Sequence, residues 1–251
     1  MRYKNFGIII QARTSSTRLP GKIILEIEDR VTFLDVLLNR LNLLNIDIPI
    51  FLATSNLIVD SVLEVFAIKN NIKFYTGSEQ NVLQRFINCA EENSLDTIIR
   101  ICSDNPFIDL KSIENMCLKY KGEDYLSYKI NEFPSILTHF GFFAEIVSLK
   151  ALKKVAQKND NKCQEHVTNC IYNSPNEYNI CFLGKEIKNK EIRCTLDTKE
   201  DFDILKDLYI NFIKKNPKAG YLEIIKYIET RPELLLLMKK NIKENIKENK
   251  K

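Results

Sequence analysis

Short apolar runs alternate along this chain with stretches whose apolar residues recur every three to four positions. The runs at 6–11, 48–53, 72–75, 97–101, 125–128 and 192–196 predict strands, because a strand buried on both faces needs no polar alternation. Between them, 32–42 places Phe33, Val36, Leu37 and Leu41 on one helical face. The same period returns at 57–69 and at 81–92, the latter through Leu83, Phe86, Ile87 and Ala90. Further helices are predicted at 112–120 and 149–157. Thr198 followed by Glu200 and Asp201 predicts an N-cap and a helix to about Lys215. Pro232, well placed in a first turn, opens a last helix through Leu234–Leu237. The alternation predicts an α/β fold, a mostly parallel sheet flanked by helices. Pro134, Gly141 and mixed polarity mark a small excursion around 130–146.

No repeat or Gly/Ser linker divides the chain, so 1–231 reads as a single domain and 232–251 as a terminal helix with a lysine-rich tail. Its 251 residues suffice for a sizeable core. The formal charge is +4. The tail alone, with six lysines against Glu244 and Glu248, accounts for that excess, so the body is formally neutral. A neutral body argues against a nucleic-acid partner. Seven scattered cysteines without a C-x-x-C pair argue against zinc and predict free, buried thiols in a cytoplasmic protein. No apolar run approaches membrane length and no long one follows the amino-terminal charges, so neither a membrane partner nor a leader is expected.

The chemistry concentrates where apolar runs end. After the first run comes Gln11-Ala12-Arg13-Thr14-Ser15-Ser16-Thr17-Arg18-Leu19-Pro20-Gly21-Lys22. The carboxyl end of a buried strand is where open α/β sheets bind ligands. Arg13, Arg18 and Lys22 set three cations within ten residues beside exposed N–H groups, which suits a polyphosphate. The spacing matches neither G-x-x-x-x-G-K-[ST] nor G-x-G-x-x-G, and a solvated Arg/Ser turn is the plain alternative. Asp104, in Ser103-Asp104-Asn105-Pro106, follows another apolar run. It offers a hard oxygen for Mg²⁺, or simply a turn.

The string Q-A-R-x-x-S-T-R-L-P-G-K resembles the opening motif of the cytidylyltransferases that make CMP-activated acidic sugars, the 3-deoxy-manno-octulosonate and acylneuraminate enzymes among them. The likeness is nearest to the spore coat polysaccharide biosynthesis protein F branch and covers most of 7–205. It implies a nucleotide-diphospho-sugar transferase-like (Rossmann-like) fold with its loop around the triphosphate of CTP. Gln11, Ala12, Arg13, Arg18 and Lys22 are then nucleotide contacts, joined by Thr54 of Ala53-Thr54-Ser55, by Ser78 and Arg85 of the G-S-x-x-x-V-L-x-R segment, and by Arg100 and Ser103. Asp104 and Asp197, the latter in T-x-D-T-x-E-D, become the carboxylates that hold Mg²⁺. Arg13, Lys22, Asp104 and Asp197 are the catalytic candidates. Glu145 of G-x-x-x-E and Glu165 and His166 of E-H-V-T are candidates for the acceptor side.

Each of these has a plainer reading. Asp197 also suits a helix cap, Glu200 and Asp201 suit a helix dipole, Arg85 suits a surface, and His139 and His166 suit hydrogen-bonded structural roles. Cys102 and Ser103 stand where relatives carry Thr-Gly or Gln-Gly, which bears on base or ribose contacts. The resemblance implies transfer of CMP from CTP to an acidic keto-sugar with release of pyrophosphate, for surface polysaccharide or glycan synthesis. A phosphate monoester acceptor, giving a CDP-linked product, is the alternative. The partners are then CTP, a small acceptor and a second copy in a homodimer. A glycosyltransferase would show D-x-D near Asp104, whereas the one such string, Asp201-Phe202-Asp203, falls in a predicted helix. A nucleotide sensor would bind CTP without releasing pyrophosphate. Asp104 and Asp197 meet only if both of their strands lie in one sheet. Beyond Lys206 no functional motif is evident.

Overall fold

The computed structural model describes residues 3, 5–158 and 160–248. Met1, Arg2, Lys4, Lys250 and Lys251, part of the leader and tail readings, lie outside the described residues. The first apolar run forms β1 (Phe6–Gln11), and a small hairpin β2 (Glu26–Glu28) and β3 (Val31–Thr32) leads into α1 (Phe33–Leu41). Then follow β4 (Ile50–Ser55), α2 (Ser61–Lys69), β5 (Lys73–Gly77), α3 (Val82–Glu92), β6 (Thr97–Cys102) and α4 (Leu110–Lys119). The central part runs β7 (Tyr125–Ile130), β8 (Phe133–Pro134), β9 (Glu145–Ser148), α5 (Leu149–Ala156), α6 (Asn161–His166) and α7 (Asn169–Tyr172). The chain closes with β10 (Ile180–Lys185), α8 (Lys199–Leu208), α9 (Tyr221–Glu229) and α10 (Pro232–Glu248).

The main sheet has the order β10-β7-β9-β6-β1-β4-β5, with β8 beside β7. All its strands point the same way except β8 and β9. Successive side chains leave a strand on opposite faces, and here both faces are covered. Ile8 and Ile10 join a core with α1, α4 and α8 to α10, whereas Ile9 joins one with α3 and α5 to α7. Capping boxes at Thr32 with Asp35 and at Thr198 with Asp201 start α1 and α8, which fixes where each helix leaves its loop. After Leu208 the α8 helix widens into a π turn over Tyr209–Ile213. Among the described residues no helix is long and apolar enough to cross a membrane.

Three expectations need correction. Residues 192–196 form no strand. Ile192, Cys194 and Leu196 are fully buried, and the backbone bonds to loops instead of to the sheet, through Cys194 N–H to His139 O (3.1 Å) and Leu196 N–H to Asp104 O (2.8 Å). A strand-like apolar period is thus satisfied by packing against the core without a ladder. Strands β2, β3, β8, β9 and β10 were not expected, nor were α6, α7 and α9. Cys163 and Cys170 form a disulfide across the α6–α7 turn with Cα atoms 5.5 Å apart, so the expectation of free thiols holds for the other five cysteines only.

Candidate active site

Strands β4 and β5 extend the sheet to one side of β1 and β6 extends it to the other, so the order reverses between β1 and β6. Such a switch point leaves a crevice at the carboxyl ends of the two strands. Gln11 stands opposite Cys102 there, and Ser103 N–H donates to Gln11 O at 3.0 Å. The cationic loop opens over this point and is tied down from beneath. Asp60, fully buried, accepts from Thr14 N–H (2.7 Å) and from the hydroxyl of Ser55. Gly21 adopts φ +66°, which lets the chain turn back so that its N–H reaches Thr14 O (2.8 Å) and Lys22 points inward. Asp60 was missed in the sequence, where its only signal is an acid shortly after a strand end.

A gap of about 210 Å³ results, lined by Gln11, Arg13, Arg18, Lys22, Ser103, Asp104 and Asp197 among others. Lys22 Nζ lies 3.3 Å from Asp104 Oδ2 and 2.9 Å from Asp197 Oδ1. Arg18 Nη2 is 3.1 Å from the same Asp197 oxygen, and Arg193 Nη2 is 2.9 Å from the other. Burial alone would pull the Lys22 ammonium down, but Asp104 and Asp197 together outweigh it and hold its pKa above the ordinary value. Burial would likewise raise Asp197, but Lys22, Arg18 and Arg193 hold it below the usual carboxylate range. The two acids meet without a shared sheet, because Leu196 N–H binds the backbone carbonyl of Asp104 directly.

Among the described residues no cluster of three or more His, Cys, Asp or Glu side chains stands ready for a metal. Mg²⁺ asks for less: one or two carboxylates, with phosphate and water oxygens completing the shell. Asp104 and Asp197 converge on a cation, the Lys22 ammonium, so their donor chemistry fits.

The remaining candidates separate by position. Arg100 is buried and pairs through Nη1 with buried Glu145, while its Nη2 donates to Gln11 Oε1 (2.9 Å). Glu145 also accepts from Tyr125 Oη (2.5 Å) and Thr168 Oγ1 (2.9 Å). Glu145 is thus committed to holding Arg100, and through it Gln11. Glu165 and His166 are exposed on α6, and neither they nor Glu145 line the two cavities described here. Arg85 is no surface cation: it is 1 % exposed, packs by Gly77 and makes no hydrogen bond through its guanidinium. Burial lowers its pKa to about 10 despite Asp60. Thr54 Oγ1 is equally buried and unpartnered, and exposed Ser78 accepts from Asn81 N–H at 3.0 Å. Ala12 is buried, its N–H bonded to Ala53 O (3.1 Å). Glu145→Leu is expected to cost about 3–5 kcal/mol of stability in denaturant unfolding, because it strands a buried guanidinium. A direct acceptor contact would instead raise the acceptor KM at unchanged stability.

A second cavity, about 390 Å³, shares Cys102, Asp104 and Asp197 with the first, so the carboxylate pair lies between the two. Its other walls come from Asn105, the excursion residues Ser135 to His139, Arg193, Thr195 and Ile242. Gly141 seats the excursion: at φ +69° a Cβ would come within 2.5 Å of Cys194 O. Burial lowers the pKa of His139, whose Nε2 lies 3.2 Å from Lys190 O. Asn105 Oδ1 and Thr195 Oγ1 are buried without hydrogen-bond partners, so the chamber has polar capacity to spare. Thr195 and Asn105 lie within the strings that carry Asp197 and Asp104, but no local pattern in the sequence joins the wall residues to one another.

A family described as cytidylyltransferase matches residues 7–243. The spore coat polysaccharide biosynthesis protein SpsF of Bacillus subtilis is 33% identical over 90% of this chain and 94% of its own length. A cytidylyltransferase from Leptospira borgpetersenii, known structurally, is 27% identical over 92% of this chain and 96% of its own, with a TM-score of 0.81. A CMP:2-keto-3-deoxy-manno-octonic acid synthetase solved with CTP shares the fold at a TM-score of 0.60 and 14% identity, over 83% of this chain and 99% of its own. The chain belongs to the cytidylyltransferase family and is a nucleotidyltransferase.

Proposed function

We propose that this cytidylyltransferase transfers CMP from CTP to an acidic keto-sugar, giving a CMP-sugar and pyrophosphate for surface polysaccharide or glycan synthesis. The observation that carries the reading is the carboxylate pair Asp104 and Asp197, closed by Lys22 and set between a cation-lined crevice and a polar chamber. The similarity to SpsF, whose name refers to spore coat polysaccharide biosynthesis, supports the setting.

Attack on the α-phosphorus requires little covalent work from the protein, so positioning and charge dominate. Arg13, Arg18 and Lys22 bind the β- and γ-phosphates and stabilise the charge that gathers on departing pyrophosphate. Gln11, held by Arg100, keeps the floor of the crevice fixed. Asp104 and Asp197 would hold Mg²⁺, which when bound neutralises phosphate charge and makes a nearby hydroxyl more acidic. The acceptor occupies the larger chamber, where Asn105 Oδ1 and Thr195 Oγ1 accept hydrogen bonds from its hydroxyls and the excursion keeps water away.

Pyrophosphate release from CTP and Mg²⁺ with 3-deoxy-manno-octulosonate or glycerol 3-phosphate as acceptor tests the reading. Pyrophosphate with a CMP-sugar mass is expected from the first. A CDP-linked mass from the second alone would replace the acceptor class, and silence with both would overturn the transfer.

A further inference from the structure

The terminal helix reaches the site. Leu234 and Met238 on α10 are buried in the core, and Asn241 and Ile242 continue the same face one turn later, at i+7 and i+8. A stripe that packs a helix against its neighbours therefore runs on to the carboxylates. Asn241 is 3 % exposed, and its Nδ2 donates to Asp201 Oδ1 (2.6 Å) and lies 3.2 Å from Thr198 Oγ1. The same Asp201 oxygen receives Arg193 Nε at 2.7 Å. Arg193 Nη2 then bridges Asp201 Oδ2 (2.8 Å) and Asp197 Oδ2 (2.9 Å). A planar guanidinium gripped along its Nε–Nη2 edge by Asp201 aims that Nη2 nitrogen's second N–H in one direction only. That nitrogen fixes the rotation of Asp197 and leaves its other oxygen for Lys22. Ile242, beside Asn241, is partly exposed and is the contribution of α10 to the chamber wall.

We infer that α10 is a working part of the site: Asn241 is a positioning residue that sets Asp197 through Asp201 and Arg193, and Ile242 is a specificity residue that takes the apolar C–H face of the acceptor sugar. This rests on the acceptor occupying the larger chamber. Sugars present hydroxyls at their rim and C–H groups on their faces. An aliphatic wall from Ile136, Leu137 and Ile242, in one chamber with the polar Asn105 and Thr195, therefore matches a hydroxylated ring.

The test uses the full chain, CTP, Mg²⁺ and whichever of 3-deoxy-manno-octulosonate and glycerol 3-phosphate the unaltered protein consumes. Asn241→Leu is expected to lower kcat about tenfold while the KM for CTP stays within about twofold, the signature of a displaced reacting group rather than lost binding. Asn241→Gln, which keeps an amide donor, recovers a substantial part of that loss. Ile242→Trp is expected to raise the acceptor KM about tenfold and leave the KM for CTP unchanged, and Ile242→Val to behave like the parent. Wild-type kinetics in Asn241→Leu and Ile242→Trp would overturn the inference, as would a uniform loss that tracks a falling Tm without a kcat–KM split. Silence of the parent protein with both acceptors would instead overturn the reading beneath it.

Discussion

Asp104→Asn is expected to lower kcat by at least about a hundredfold, the scale on which a preorganised electrostatic group acts. Asparagine keeps the volume and removes the charge. The backbone is spared, because the main-chain carbonyl of Asp104 takes the Leu196 N–H whatever the side chain is. Lys22 is left with Asp197 alone, 2.9 Å away, and the hard-oxygen pair becomes a single carboxylate. Pyrophosphate release under saturating CTP and Mg²⁺, alongside a thermal melt, separates loss of chemistry from loss of fold. A variant turning over near the parent rate would remove Asp104 from the site.

Lys22→Met is expected to act on both sides of the reaction, raising the KM for CTP and lowering kcat, for a combined loss of about a hundredfold or more in kcat/KM. Lys22 touches both acids, and methionine keeps most of the stem. Its removal leaves Asp104 and Asp197 facing each other with less compensation. Asp197 then loses one of the three cations that hold its pKa down. A depressed carboxylate stabilises the fold above the ordinary carboxylate range and loses that contribution as pH falls through its folded value. The Lys22→Met melt should therefore fall closest to the parent in acid and furthest from it near neutrality. Equal kinetics and equal melts at all pH would take Lys22 out of the arrangement.

Much of the scaffold was legible because its signals are local. The run at 6–11 is a central strand because Ile8, Ile9 and Ile10 each find a covered face, and Thr32 and Thr198 start helices by capping chemistry alone. Residues 192–196 carry the same apolar signature, yet they spend it on packing; burial is readable from composition, and ladder pairing is not. Strand β9 escaped because it has four residues and begins on a charge. That charge held a clue. Arg100 and Glu145 both sit among apolar neighbours, and the rule that buried charges seek partners applies to each of them. Applied to both, it pairs them and withdraws Glu145 from the acceptor side. The chamber was illegible for a different reason. Its walls come from residues 105, 135–143, 193–195 and 242, which only the folded chain brings together.

The polarity of the sheet has a practical side. Strands β1 and β6 both deliver their last residues to the crevice, so Phe6 begins β1 on the opposite rim, roughly 20 Å away for six extended residues. At the other end of the described residues lies α10, the element that carries Ile242 to the chamber. A purification handle or fluorescent fusion is therefore better placed ahead of β1 than behind α10. Bulk appended behind α10 weighs on the very helix that borders the larger cavity.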